Sequence, residues 1–163
     1  MSKRVTIAAA MILLLAEMPK SGRSEDAPWT WTSPKYVPCE GIGVAGTYKV
    51  YAVPTIDTAR GVLQAFYVYA ESAAFSKGSA SISATITIMD KNQHAIETIT
   101  LAPPGSNALV RKPGPTETEG RFLPKGKKPP LPSGGKVIVE VSPIILTDNG
   151  TCVLGKSSQD FPY

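Results

Sequence analysis

Ser81-Ile82-Ser83-Ala84-Thr85-Ile86-Thr87-Ile88 is the stretch on which the fold class turns. Apolar residues take every second position and hydroxyl residues take the others. In an extended chain successive side chains point to opposite faces. Ile82, Ala84, Ile86 and Ile88 therefore share one face of a strand, and the serines and threonines share the other. A polar turn, Asp90-Lys91-Asn92-Gln93, follows. His94 to Leu101 then resumes a Thr- and Ile-rich extended run, so the pair predicts a β-hairpin.

Outward from this hairpin, strands are predicted over Thr47–Val53, Gly61–Ala70, Leu109–Arg111, Arg121–Leu123, Lys136–Leu146 and Thr151–Leu154. Val137, Val139 and Val141 alternate with Ile138 and Glu140. Gly61–Ala70 reads as apolar on both faces, with Val62, Phe66 and Val68 against Leu63, Tyr67 and Tyr69, which predicts a central strand covered on both sides. Pro54, Pro103, Pro104 and Pro143 are expected at strand ends, where a missing N–H is tolerated. No helical periodicity follows the first residues. About seven or eight short strands separated by turn signals predict an all-β, antiparallel β-sandwich of immunoglobulin-like architecture. A small β-barrel is the alternative. An antibody-type domain is excluded, because Trp29 and Trp31 both precede Cys39 and the two cysteines stand too far apart in sequence.

The chain opens with Lys3 and Arg4, and an apolar or small run from Val5 to Ala16 follows. That is the form of a secretory signal peptide, and it is too short to cross a bilayer. Small residues at Gly22 and Ser24 place the cut after Ser24, leaving 25–163 as a single β domain with no transmembrane span. The leader holds Lys3, Arg4, Lys20 and Arg23 against Glu17, so 13 basic and 12 acidic side chains remain, a net charge of +1. A surface so nearly neutral gives no whole-molecule attraction for nucleic acid. Export implies the periplasm or the extracellular medium, where two cysteines predict one disulfide, Cys39–Cys152.

The segment 111–136 differs from the rest. It holds six prolines, five glycines and seven basic residues against Glu117 and Glu119. Such composition builds no packed core and predicts a long, mobile loop with a short strand around Phe122. Lys125, Lys127 and Lys128 in this loop are candidate contacts for a protein or an anionic polymer. Trp29 and Trp31 are a second candidate, as an aromatic platform, although aromatics in that position also pack over the end of a sandwich. Pro129-Pro130-Leu131-Pro132 resembles a polyproline ligand and is read as a spacer.

Chemistry-bearing motifs fail on context. Gly150 to Ser157 satisfies the phosphate-loop pattern, but six residues, including Pro162, leave no room for the helix that motif needs; a last strand and a tail are expected instead. Gly41-Ile-Gly43-Val-Ala-Gly46 matches the dinucleotide fingerprint with neither a buried strand before it nor a helix after it. His94 is the single histidine, and Glu117 and Glu119 lie close only in sequence. No catalytic residue, cofactor or metal site is expected. Asn149-Gly150-Thr151 is a glycosylation sequon. These readings together point to an exported, non-enzymatic β-sandwich that binds a macromolecule or has a structural role. The alternatives are a barrel-shaped carrier of a small apolar ligand and a hydrolase with an unfamiliar site.

Overall fold

The alternating run lies within β4 (Ser79–Met89), inside an antiparallel sheet. The computed structural model describes residues 27–35, 46–105 and 111–163, which form a β-sandwich of two antiparallel sheets. The first sheet has the order β1 (Trp29–Thr32), β2 (Lys49–Asp57), β3 (Val62–Glu71), β6 (Arg121–Phe122). The second has the order β5 (Ala95–Thr100), β4, β7 (Lys136–Thr147), β8 (Gly150–Val153), and β9 (Ser157–Pro162) pairs with β7 beyond β8. A short 3-10 helix, Ala73–Lys77, carries the chain from the first sheet to the second. The predicted leader, Cys39, the Gly41–Gly46 stretch through residue 45, and Leu109 lie outside the described residues.

The core is the sum of the inward faces. Ile82, Ala84, Ile86 and Ile88 of β4 are at most 2% exposed, as are Val137, Val139 and Val141 of β7. Val50 and Ala52 of β2 oppose them with Leu63, Phe66, Val68 and Ala70 of β3. Each buried Ile or Val contributes roughly 1.5–3 kcal/mol relative to exposure, so the alternating faces drive the packing. The two-faced look of Gly61–Ala70 has a local cause. Thr55 pairs with Ala65 while Ile56 pairs with Leu63, so Gln64 is an extra residue in β3. That bulge flips the side-chain phase, bringing Leu63 onto the same inner face as Phe66 and Val68.

Two prolines sit within strands, correcting their expected place at strand ends. Pro54 lies in β2 beyond the last residue that pairs with β1, so its missing N–H faces no neighbour. Pro143 lies in β7 and its carbonyl accepts from Leu154 N at 2.8 Å. Its ring nitrogen faces the same side, where the edge strand is interrupted. Ile144 pairs with Val153 but Val141 pairs with Ser157, so the edge carries one extra residue between β8 and β9. The tail expected after the last strand is therefore corrected to β9, which runs alongside β7 from Ser157 to Pro162.

The two long sides of the sandwich close differently. On one, Ala102 and Phe122 exchange both backbone hydrogen bonds at 2.8 Å, joining the first sheet to the chain leaving β5. On the other, among the described residues, side chains span the gap: Trp29 stacks on Phe161 at 4.4 Å and Trp31 Nε1 donates to Ser157 Oγ at 2.7 Å.

Candidate binding surface

The Pro- and Gly-rich segment is seated along the edge of β3. Ser72 N donates to Thr116 O, Thr118 N to Ala70 O and Leu123 N to Phe66 O, each at 2.8 Å. Further along, Leu63 N donates to Pro129 O at 3.0 Å and Leu131 N to Gly61 O at 2.7 Å. Thr118 is 1% exposed, and its hydroxyl both accepts from Ala70 N and donates to Ala70 O. Pro129 and Leu131 turn inward and are buried. The expected mobile loop is thus a fixed strap. Its composition builds no core of its own, but the open edge of β3 offers it unpaired backbone groups and a core to lean on. The short strand expected near Phe122 is present as β6.

Within the strap, Lys127 N donates to Pro124 O at 3.1 Å and Gly126 has φ +83°, the positive value a type II turn needs at its third position. The turn holds Lys125, Lys127 and Lys128 outward, all exposed. Lys127 pairs with Glu97 at 2.8 Å. Lys125 and Lys128 have no acidic partner among the described residues.

Strand ends place further charges beside them. β2, β4 and β9 finish at this end, and β3, β5 and β7 begin there. Arg60 in the β2–β3 turn pairs with Asp57 at 3.5 Å, and Lys136 pairs with Asp160 at 2.7 Å. Lys91, exposed in the β4–β5 turn, lacks an acidic partner among the described residues; Asp90 Oδ1 accepts from the backbone N of Asn92 and His94, each at 2.8 Å. Those two bonds, with His94 nearby, hold the Asp90 carboxyl below its ordinary value. Lys91 and Arg60 were not among the sequence candidates. Their turn positions were legible, but their proximity to 124–136 depends on the strand order.

The tryptophans occupy a different environment. Trp29 lies 5.9 Å from Phe66 as well as stacking on Phe161, and Trp31 lies 5.6 Å from Phe161. Both are half-buried against the core, so their ring faces serve the sandwich. The outer face of the first sheet carries another aromatic row, Tyr51–Tyr69–Tyr67–Phe122, with centroids 4.8, 5.4 and 4.5 Å apart and interplanar angles of 9, 27 and 26°. These rings stack on one another, so Tyr69 and Tyr67 each have ring neighbours on two sides. A stacked sugar or base needs a free face. Arg111 covers Tyr69 from 5.0 Å and donates to its hydroxyl at 2.8 Å, and it pairs with Glu117 at 2.7 Å. Burial raises the phenols of Tyr67 and Tyr69, keeping both protonated. The row anchors the strap.

The remaining motif residues are dispersed. His94 has 80% of its side chain exposed and lies 3.6 Å from Asp90. Glu117 belongs to Arg111, whereas Glu119 faces Arg121 at 3.5 Å. Gly150 to Ser157 spans β8, the bulge and the start of β9, an extended path without a phosphate-cradling helix, and Lys156 is paired with Glu140. Among the described residues no group of three or more His, Cys, Asp or Glu is placed to hold a metal ion. A depression of about 630 Å³ lies at the opposite end, between Lys77–Ser79 and Leu146–Asn149, and one of about 230 Å³ lies near Glu140 and Lys156. No protein-family model, curated protein or solved structure matches the chain.

Proposed function

We propose that this chain is an exported, non-enzymatic β-sandwich that works by holding a macromolecular partner at its basic end. One observation carries the reading: among the described residues Lys125 and Lys128 have no acidic partner, and they stand on a turn that is hydrogen-bonded into the scaffold. A fixed turn presents charge without paying the ordering entropy that a mobile loop loses on binding. Loops positioned by a rigid β scaffold are common recognition elements. The solvent-facing His94 lends no support to a hydrolase, because a general base must reach a substrate held in a cleft. The carrier reading needs a hollow closed barrel, and here the inner faces of two sheets fill one another.

The test is a cross-linked pull-down from the native exported fraction, comparing wild type with a K125Q/K127Q/K128Q variant of equal thermal stability. Wild type should capture a partner, less of it as salt rises, and the variant should lose it. Equal capture by both forms would remove the basic end from the reading.

A further inference from the structure

We infer that the ligand of the basic end is a linear polyanion, a chain with repeated sulfate, phosphate or carboxylate groups; this rests on the binding reading above. Among the described residues Arg60, Lys91, Lys125, Lys127, Lys128 and Lys136 meet four side-chain carboxylates, Asp57, Asp90, Glu97 and Asp160. Arg60 pairs with Asp57, Lys127 with Glu97 and Lys136 with Asp160, and Asp90 is held by backbone N–H groups and His94. Among the described residues Lys91, Lys125 and Lys128 have no carboxylate partner. They project from two separate turns, and the strap joins those turns: a Cβ added at Gly134 would lie 3.7 Å from Lys91 Cβ.

Geometry then selects among anions. A small anion is held by donors converging on a concavity. The two depressions described above lie elsewhere, at Lys77–Asn149 and near Glu140, and neither is lined by these lysines, which stand exposed on turns along the rim of this end. Charges spaced along a rim match a chain that crosses it and meets them in succession. Lysine is a compact point charge without the planar fork that recognises one phosphate or carboxylate bidentately. The rim therefore reads charge density more than the identity of the anionic group. Single-stranded nucleic acid is a poor fit, since it needs aromatic faces for its bases. Tyr163, at this end, is packed against the core with its hydroxyl directed at Met89 O, 3.4 Å away.

The experiment measures binding of a labelled heparin dodecasaccharide, and separately of sodium polyphosphate, between 25 and 300 mM salt. Wild type is compared with K91Q/K125Q/K128Q and with the charge-keeping K91R/K125R/K128R. Wild type and the arginine variant should bind the polymers, with log affinity falling on log salt at a slope of about −2 to −3, given roughly 0.7–0.9 per neutralised charge. The glutamine variant should bind at least tenfold more weakly with a flatter slope, and inorganic phosphate should not compete at equal charge concentration. Failure of both polymers to bind at 25 mM salt overturns the inference, as does equal binding by the glutamine variant. Binding confined to vesicles containing anionic lipid overturns it in favour of a membrane surface. If the polymers fail while partner capture still depends on the lysines, the binding reading stands and only the polyanion falls.

Discussion

The Tyr48 hydroxyl donates to the carbonyl of Gly155 at 2.7 Å, reaching from the first sheet to the bulge in the edge of the second. Pro143 of β7 stands opposite Leu154, where the bulge begins. One proline without an N–H interrupts the edge ladder, and the backbone carbonyl exposed by the interruption is satisfied by a phenol from across the core.

Replacing Tyr48 with Phe should destabilise the fold by about 1 kcal/mol, the usual net worth of one hydrogen bond. Burial pushes the Tyr48 phenol up to about 12 from an ordinary 10.0. The folded state thus favours the protonated form. Its contribution is intact below pH 10 and is lost as pH rises from 10 toward 12, where the unfolded chain ionises first. Urea melts at pH 7, 9 and 11 should show wild type losing its advantage over Tyr48→Phe in the last interval. Parallel loss in both forms would assign the alkaline transition to other groups.

At Gly120 the strap runs tight over the sheet, because a Cβ there would collide with the Tyr67 ring. Gly120→Ala should cost about 1–3 kcal/mol through overpacking. Amide exchange at Thr118 and Leu123 should accelerate with it, since both N–H groups fasten the strap to β3. Gly155→Ala is the control, with nothing within 4 Å of the added Cβ. Equal effects of the two substitutions would contradict the seated strap.

Trp29 stacks on Phe161 with an interplanar angle of 12°, and that contact helps close the side of the sandwich where, among the described residues, no backbone bond does so. Trp29→Ala should cost about 3 kcal/mol, toward the low end for a large aromatic because the ring is half-buried. Chemical denaturation measures it. A change below about 0.5 kcal/mol, within the range of ordinary surface substitutions, would show that the stack is not needed for closure.

Cys152 is 6% exposed and sits opposite Ile145 of β7. The proposed bridge to Cys39 would close a loop of over 100 residues, stabilising the fold by roughly 4–5 kcal/mol at most in the chain-entropy model. Reduction should lower the thermal midpoint, and intact mass should rise by two alkyl groups only after reduction. Alkylation of both cysteines in the native, unreduced protein would rule out the bridge.

Much of the architecture was legible. The hairpin at Ser81–Leu101 and the valine alternation of Lys136–Leu146 appear as β4–β5 and β7, because burial of one face leaves a period-two trace. β1 and β9 left no such trace. Trp29–Thr32 is four residues long, and Ser157–Pro162 buries only Ser157 and Phe161, so neither carries an apolar stripe. For the candidate site, Lys125, Lys127 and Lys128 were visible from composition alone. Lys91 and Arg60, separated from them by tens of residues, were not.

From the sequence alone the chain is an all-β protein with its core on alternating faces, because side-chain alternation is a local property that each strand writes for itself. Tertiary structure decided the rest. Whether 111–136 hangs free or lies as a strap depends on β3 having an open edge. Whether Trp29 faces solvent or Phe161 depends on which edge strand stands opposite. Whether scattered lysines form one basic end depends on which turns the strand order gathers. Each of these is a relation between distant residues, set by hydrogen-bond satisfaction and burial across the whole sandwich.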